Sequence, residues 1–430
     1  MALQDHLGGG GLKVFFKGRA GWGGGSGNAP REKLAIFSSI TLIYTGYSAA
    51  YLFISLFLLQ QRNVPLPEIG IIYLATGGID IIVQMVGGRL SDRLGTKTVM
   101  MLGLAGSVAL YLLFIVLVVT NGPVPLFIIS FPVLGLFGGL FQLALSSYVS
   151  DRERGEMAGG LSQLYVGLNF GFTIGPVTGG FVISYLGYSY LFLLGLLTTI
   201  IAIAVIGFGI KLNPRYAERA SMSSKAEKTR VLRQRGVLPL LLLVFASWFA
   251  ISYQAVPLSI FESKFLVLTS IEIGIVLSTN GLLITIFQVP ISKLIGVEKN
   301  GKLIPVALGS VIMAAGYSII SVSHTFLPMI AAISITTLGE MMIAVPTQVI
   351  ITLFSKSHNR GEYQGYYFAF SRGGASFSSF AALILFSYFL NHAQYAWYVV
   401  IAISLLAALS YSLLSPTIAK EYRVSAEQQI

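Results

Sequence analysis

The 430-residue chain is 55% hydrophobic and only 10% charged, whereas a soluble globular domain carries roughly a quarter charged residues. That balance excludes an ordinary soluble enzyme or nucleic-acid-binding domain and indicates a chain whose solvent is lipid. The net charge of +11 must then be explained by where the charges lie.

Residues 1–30 hold ten glycines and lack the continuous apolar core of a signal peptide, which predicts a flexible cytoplasmic tail. Twelve apolar runs follow, at about 34–60, 69–90, 98–120, 126–149, 157–182, 189–210, 237–259, 271–293, 303–323, 327–351, 363–388 and 395–415. Each is near the roughly 20 residues that cross a hydrocarbon core. Lipid offers backbone amides no partners, so these runs must be helices. They are continuously apolar rather than alternating, which argues against a β-barrel.

Between the sixth and seventh runs, about 211–236, eight basic residues stand against Glu218 and Glu227. Such a segment suits a linker lying along an anionic inner leaflet. With both termini inside, 25 of the 28 basic residues fall on the cytoplasmic side, Arg62 and Lys264 outside, and Arg372 within the membrane. The excess charge is the positive-inside bias that orients a membrane protein, so no nucleic-acid partner is expected. The expected fold is therefore an all-α polytopic membrane protein. Its predicted units are a tail at 1–30, six-helix bundles at 31–212 and 237–416, a basic linker at 213–236 and a tail at 417–430.

Cysteine is absent, which excludes thiolate metal sites, disulfides and cysteine nucleophiles. The four histidines, His6, His324, His358 and His392, fall in the tail or in loops without metal-ligand spacing. No phosphate-binding glycine loop precedes a Lys-Ser/Thr pair, so an ATP-driven pump would need another subunit. Neither an enzyme nor a bound cofactor or metal is expected.

The halves repeat. A shift of 204 residues aligns Glu68-Ile69-Gly70-Ile71 with Glu272-Ile273-Gly274-Ile275, Gly77 with Gly281, and Gln84 with Gln288. A shift of 206 aligns Arg154-Gly155-Glu156 with Arg360-Gly361-Glu362. Two stretches at nearly one offset indicate a duplicated six-helix unit.

After the second run stands Gly87-Gly88-Arg89-Leu90-Ser91-Asp92-Arg93-Leu94-Gly95-Thr96-Lys97, read as a compact charged turn. It resembles the signature loop of the major facilitator superfamily, Gly-x-x-x-Asp-Arg-x-Gly-x-Lys/Arg, at Gly88, Asp92, Arg93, Gly95 and Lys97. The resemblance covers about residues 31–416. It implies two six-helix bundles rocking around a central site, with helices 1, 4, 7 and 10 lining the cavity and 3, 6, 9 and 12 facing lipid. It also implies a cytoplasmic gate at the signature residues, joined by Arg152 and Arg154. In helix 5, Gly171, Gly175, Pro176, Gly179 and Gly180 resemble an element of family members that exchange substrate for protons. Glycines every four residues also make a smooth packing face, so a plain packing role stays open. Two departures stand out: no arginine occurs in helix 4, and helix 1 lacks the Glu-x-x-Glu-Arg cluster of the proton-coupled peptide transporters. Gly339-Glu340 with Pro346 faintly resembles that group's helix 10.

Three ionisable residues fall inside runs: Asp80, Glu340 and Arg372. Asp80 is 12 residues beyond Glu68, about 18 Å along a helix, and so near mid-membrane. Each costs roughly 2.5–3.5 kcal/mol to insert, which marks all three as proton-coupling candidates. For Glu340 and Arg372 a structural ion pair is the other reading. A carboxylate in a dry pocket is costly to keep charged, so Asp80 can load and release a proton as water access alternates. The equivalent of Asp80 in the second half is Ile284, and no cation adjoins it in sequence. Candidate cavity residues are Tyr44, Tyr47, Tyr51, Gln84, Gln142, Asn169, Trp248, Tyr253, Asn280 and Gln288. The expected protein is a monomer in the cell membrane, closest to the drug and solute antiporters, that moves a small organic solute using the proton gradient. Export by antiport is the first reading. Uptake of an organic anion or sugar by proton symport is the second, and a transport-dead sensor or scaffold the third.

Overall fold

The computed structural model describes residues 29–152, 157–210, 231–234, 236–296, 302–355 and 360–427. Among these, twelve helices are long and apolar enough to cross a membrane. The first half holds α1 (Ala29–Gln61), α2 (Leu66–Leu94), α3 (Thr96–Val119), α4 (Val124–Arg152), α5 (Met157–Tyr185) and α6 (Tyr188–Gly209). The second holds α7 in two pieces, α7a (Val237–Ser252) and α7b (Val256–Lys264), then α8 (Ser270–Ile295), α9 (Ile304–Val322), α10 (Phe326–Leu353), α11 (Arg360–Tyr388) and α12 (Gln394–Glu427).

The repeat seen in the sequence is a repeat of packing. Within the first half α1 packs on α5 and α6, α3 on α4 and α6, and α2 on α4. Within the second half α7a packs on α11 and α12, α9 on α10 and α12, and α8 on α10. Each pairing recurs six helices later. Two crossings join the halves, α2 with α11 and α5 with α8, and α7b adds a contact with α1. Lipid supplies no hydrophobic drive between helices, so close approach over small residues holds them. On α9, a Cβ at Gly309 would sit 2.9 Å from the Gly339 carbonyl oxygen of α10. Helices α3, α6, α9 and α12 turn apolar side chains outward, among them Val116, Ile201, Leu308 and Leu409, as expected for lipid-facing helices.

The structure moves three boundaries. The charged signature segment is not a loop: α2 continues to Leu94 and ends on Gly95, whose φ of 84° is one that L side chains rarely adopt. The chain predicted as a tail from 417 is helical to Glu427. The seventh crossing runs to Lys264, five residues beyond the predicted end, and is broken at Tyr253–Ala255. Pro257 accounts for that break: it stands in the first turn of α7b, and lacking an N–H it cannot continue the hydrogen-bond ladder of α7a. The Tyr317 hydroxyl donates to the Ala250 carbonyl near the break. Residues 1–28 and 211–230, predicted as tail and linker, lie outside the described residues.

Candidate substrate and proton site

The α2–α11 crossing sets the geometry. A Cβ at Gly77 would collide with the Ser376 side chain and lie 3.6 Å from the Arg372 carbonyl oxygen. The absence of side chain there lets the two backbones meet one turn from Asp80. The Asp80 carboxylate then lies over the glycines of α4, with Oδ1 3.7 Å from where a Cβ of Gly135 or Gly139 would stand. From the other half, Arg372 reaches into the same space and its Nη2 donates to Gln142 Oε1 at 3.4 Å. Asp80 and Arg372 share one electrostatic neighbourhood with Tyr44, Tyr47 and Tyr51. No cation adjoins Asp80 in sequence, but across space Arg372 of the opposite half acts on it electrostatically.

Tyr44, Tyr47 and Tyr51 recur at helical spacing and form one aromatic face on α1. Tyr47 stacks on Tyr51 with centroids 5.3 Å apart, Tyr44 meets Phe172 at 5.7 Å, and Tyr51 meets Phe131 at 6.0 Å. Behind them the buried Tyr73 donates to the Tyr51 carbonyl at 2.6 Å.

A second polar group is built wholly from the second half. Glu340 on α10 is 7% exposed, and its Oε2 accepts from Asn280 Nδ2 at 2.8 Å and from Gln254 Nε2. Gln254 sits in the α7 break and accepts from Thr336 Oγ1 at 3.0 Å. Asn280 also donates to Thr337 Oγ1 at 3.0 Å. Glu340 is therefore held by two amides, and the ion pair with Arg372 considered from sequence is replaced by these contacts. Tyr165 of α5 lies in its electrostatic neighbourhood. Trp248 Nε1 donates to the Tyr367 hydroxyl at 3.2 Å, and that hydroxyl donates to the Ala344 carbonyl at 3.0 Å.

Several candidates are spent elsewhere. Tyr253 is fully buried between α9 and α12, donates to the Ala396 carbonyl at 3.0 Å, and meets Trp397 edge-on. Asn169 donates back to the Tyr165 carbonyl of its own helix at 2.8 Å. Gln288 ties α8 to α10 through the Met341 carbonyl at 3.2 Å. In the signature segment Lys97 donates to the carbonyls of Gly207 at 3.1 Å and Ile210 at 2.6 Å. It thereby fastens α3 to the carbonyl end of α6, where a cation is favoured. Arg93 is exposed. Gly88 lies in α2, while the side chains of Gln84, Asp92 and Arg152, and all of Arg154, lie outside the described residues.

The helix 5 glycines are close-packing positions. A Cβ on Gly171 would sit 2.9 Å from the Thr41 carbonyl oxygen of α1, and one on Gly179 would sit 3.1 Å from the Ala49 Cβ. On the other face of α5, a Cβ of Gly274 would sit 2.5 Å from the Pro176 carbonyl oxygen, and Gly180 abuts Ser270. Sequence reasoning missed Gln254, Thr336, Thr337 and Glu262. The signal for the first was present, since a polar Ser-Tyr-Gln triplet ahead of Pro257 marks a broken helix. Among the described residues no three acidic or histidine side chains gather where a metal could bind.

The sequence matches the Major Facilitator Superfamily over residues 36–265 and 240–429. The chain belongs to this superfamily. It is accordingly a secondary transporter of the membrane, not an enzyme, and needs no cofactor. No curated protein matches it significantly. Similar solved structures include a mutant of the peptide transporter POT in complex with alafosfalin, at 15% identity and TM-score 0.73, covering 90% of this chain and 95% of that one. A POT family transporter with 5-aminolevulinic acid matches at 16% identity and TM-score 0.71, over 90% of this chain and 96% of that one. A structure of proton-dependent oligopeptide transporters matches at 13% identity and TM-score 0.70, over 92% and 99%. At such identities these likenesses speak to the fold, and they do not single out a drug-antiporter branch.

Proposed function

We propose that the chain takes up a small organic solute bearing a carboxylate together with a proton, by alternating access at a site between the halves. The observation that carries this reading is Arg372, which comes from one half and shares its surroundings with Asp80 from the other. While Asp80 is charged it compensates Arg372, and a solute carboxylate must compete with it. Once Asp80 is protonated, the guanidinium is left to hold the carboxylate, in the bidentate manner arginine favours. Proton and carboxylate then bind each other's form of the protein preferentially, which is reciprocal coupling. The tyrosine face of α1 forms the wall of this pocket. Glu340 offers a negative pole to an amine at the solute's other end, a pattern that 5-aminolevulinic acid, bound by one protein of similar fold, would fit.

Export by antiport rested on the α5 glycine element. Contact with α1 and α8 accounts for those glycines whichever way solute moves, so symport is the reading adopted. The basic end of the bundle faces the cytoplasm on the positive-inside rule, and the cell membrane is the site of action.

The test uses proteoliposomes loaded with a pH dye. Adding 5-aminolevulinic acid or a dipeptide outside should acidify the lumen in the wild type and leave it unchanged in Asp80→Asn. Lumen alkalinisation by the same solutes would establish antiport instead.

A further inference from the structure

The described contacts between the halves gather at mid-membrane and at the end bearing the α1–α2, α7–α8 and α11–α12 turns, the outer end by charge placement. There Gln60 Nε2 of α1 donates to Ser263 Oγ of α7b at 2.7 Å, and Tyr188 donates to Gln60 Oε1 at 3.0 Å. This uncharged latch ties α7b to α1 and α6. Beside Ser263 stands Glu262, which is 0% exposed, and neither of its carboxylate oxygens has a hydrogen-bond partner among the described residues.

The groups around it offer no compensating charge. From α8 comes Glu272, a like charge, whose Oε2 is occupied by the Thr269 N–H at 2.9 Å and hydroxyl at 2.8 Å. Just after α1, Arg62 donates to the Leu117 carbonyl at 3.0 Å and lies over the rings of Phe57 and Phe127. From α11 and α12, Phe386 and Trp397 pack on Phe261 of α7b. Lys264 on α7b itself is exposed, with its ammonium over the Phe265 ring. A fully buried carboxylate with no hydrogen-bond partner and only a like charge nearby carries a charge at a prohibitive desolvation cost.

We propose that Glu262 is a proton-binding site of the outer gate, distinct from Asp80, and that α7b closes over the cavity only with this carboxyl neutral. Opening pivots α7b at the Tyr253–Ala255 break, parts Gln60 from Ser263 and hydrates Glu262, which then releases its proton to the outer solution. Low outer pH therefore closes the outer gate and high pH opens it. The proposal rests on the alternating-access reading but not on symport or on Asp80.

The chain has no cysteine, so a single reporter thiol is unambiguous. Ser259 is buried one helical turn inward of Ser263 on α7b, beneath the latch. In full-length Ser259→Cys reconstituted in liposomes, the rate of modification by an impermeant thiol reagent from outside, normalised to that of an exposed Asn391→Cys reference in the α11–α12 turn to remove the thiolate's own pH dependence, should fall as the outer buffer is acidified. Linkage of one proton changes the open population about tenfold per pH unit in the titrating range. Adding Glu262→Gln should leave modification slow at every pH. Adding Asp80→Asn should preserve the pH dependence. A Gly365→Cys reporter at the opposite end should react readily in Glu262→Gln, which separates a closed outer gate from misfolding. A normalised rate that is independent of pH in Ser259→Cys, or that keeps its full pH dependence with Glu262→Gln, would overturn the proposal.

Discussion

The halves meet along two crossings that descend from one ancestral unit, yet they are built differently. On α2, Gly70 and Gly77 bring the backbone against Phe380 and Ser376 of α11. Their repeats on α8, Gly274 and Gly281, bring it against Pro176 and Phe172–Thr173 of α5. The glycine contacts are equivalent, and the chemistry beside them is not. Along α2–α11 stand Asp80 and Arg372. Along α5–α8 the equivalent of Asp80 is Ile284, which is buried, and the polar link is a hydrogen bond from the Val177 N–H to Ser278 Oγ at 2.9 Å. Duplication supplied two bearings, and the pair Asp80 and Arg372 stands along one of them. On the proposed function the charged crossing couples motion to a proton, while the apolar one supports motion.

The sharpest way to break this contrast is Asp80→Asn. Proton-driven accumulation in proteoliposomes should fall about 100-fold or more, in line with the loss of a positioned proton-transfer group, while solute exchange persists. Driven uptake at wild-type rate would move coupling off this crossing. Next is Arg372→Lys, which keeps the charge but loses the planar fork. Binding of a carboxylate solute should weaken about tenfold, or roughly 1.4 kcal/mol, as read by direct titration, and unchanged affinity would dismiss the anchor.

The mechanical equivalence of the crossings is tested by Gly77→Val and Gly281→Val. Each should cost about 1–3 kcal/mol through overpacking, with similar drops in thermal stability. A large effect at one position and none at the other would mean that a single crossing bears the load. The smallest effect should come from Ser278→Ala, about 0.6 kcal/mol for one interhelical hydrogen bond in a membrane, with coupling unaltered. A coupling defect there would erase the distinction between the crossings.

The twelve crossings and the repeat were legible because lipid demands long apolar helices and because Gly70 and Gly77 recur as Gly274 and Gly281. The site was legible only in part. Asp80, Glu340 and Arg372 stood out by their cost, but their partners come from helices distant in sequence. Arg372 could as well have faced Glu340 in its own half, and only the α2–α11 crossing sends it to Gln142 and Asp80. Tyr253 shares the polarity of a cavity residue, yet the break at Pro257 turns it towards Ala396. Glu262 escaped notice because helix 7, judged by hydropathy, ends at 259, whereas tertiary contacts with α1 and α8 carry it on to Lys264.

The most direct measurement is the affinity of purified protein for a small carboxylate such as 5-aminolevulinic acid, determined at acidic and at neutral pH in wild type and in Asp80→Asn. The account predicts tighter binding at acidic pH in the wild type, and binding in the variant that is tight at both values. Binding in Asp80→Asn that still strengthens on acidification as in the wild type would contradict it.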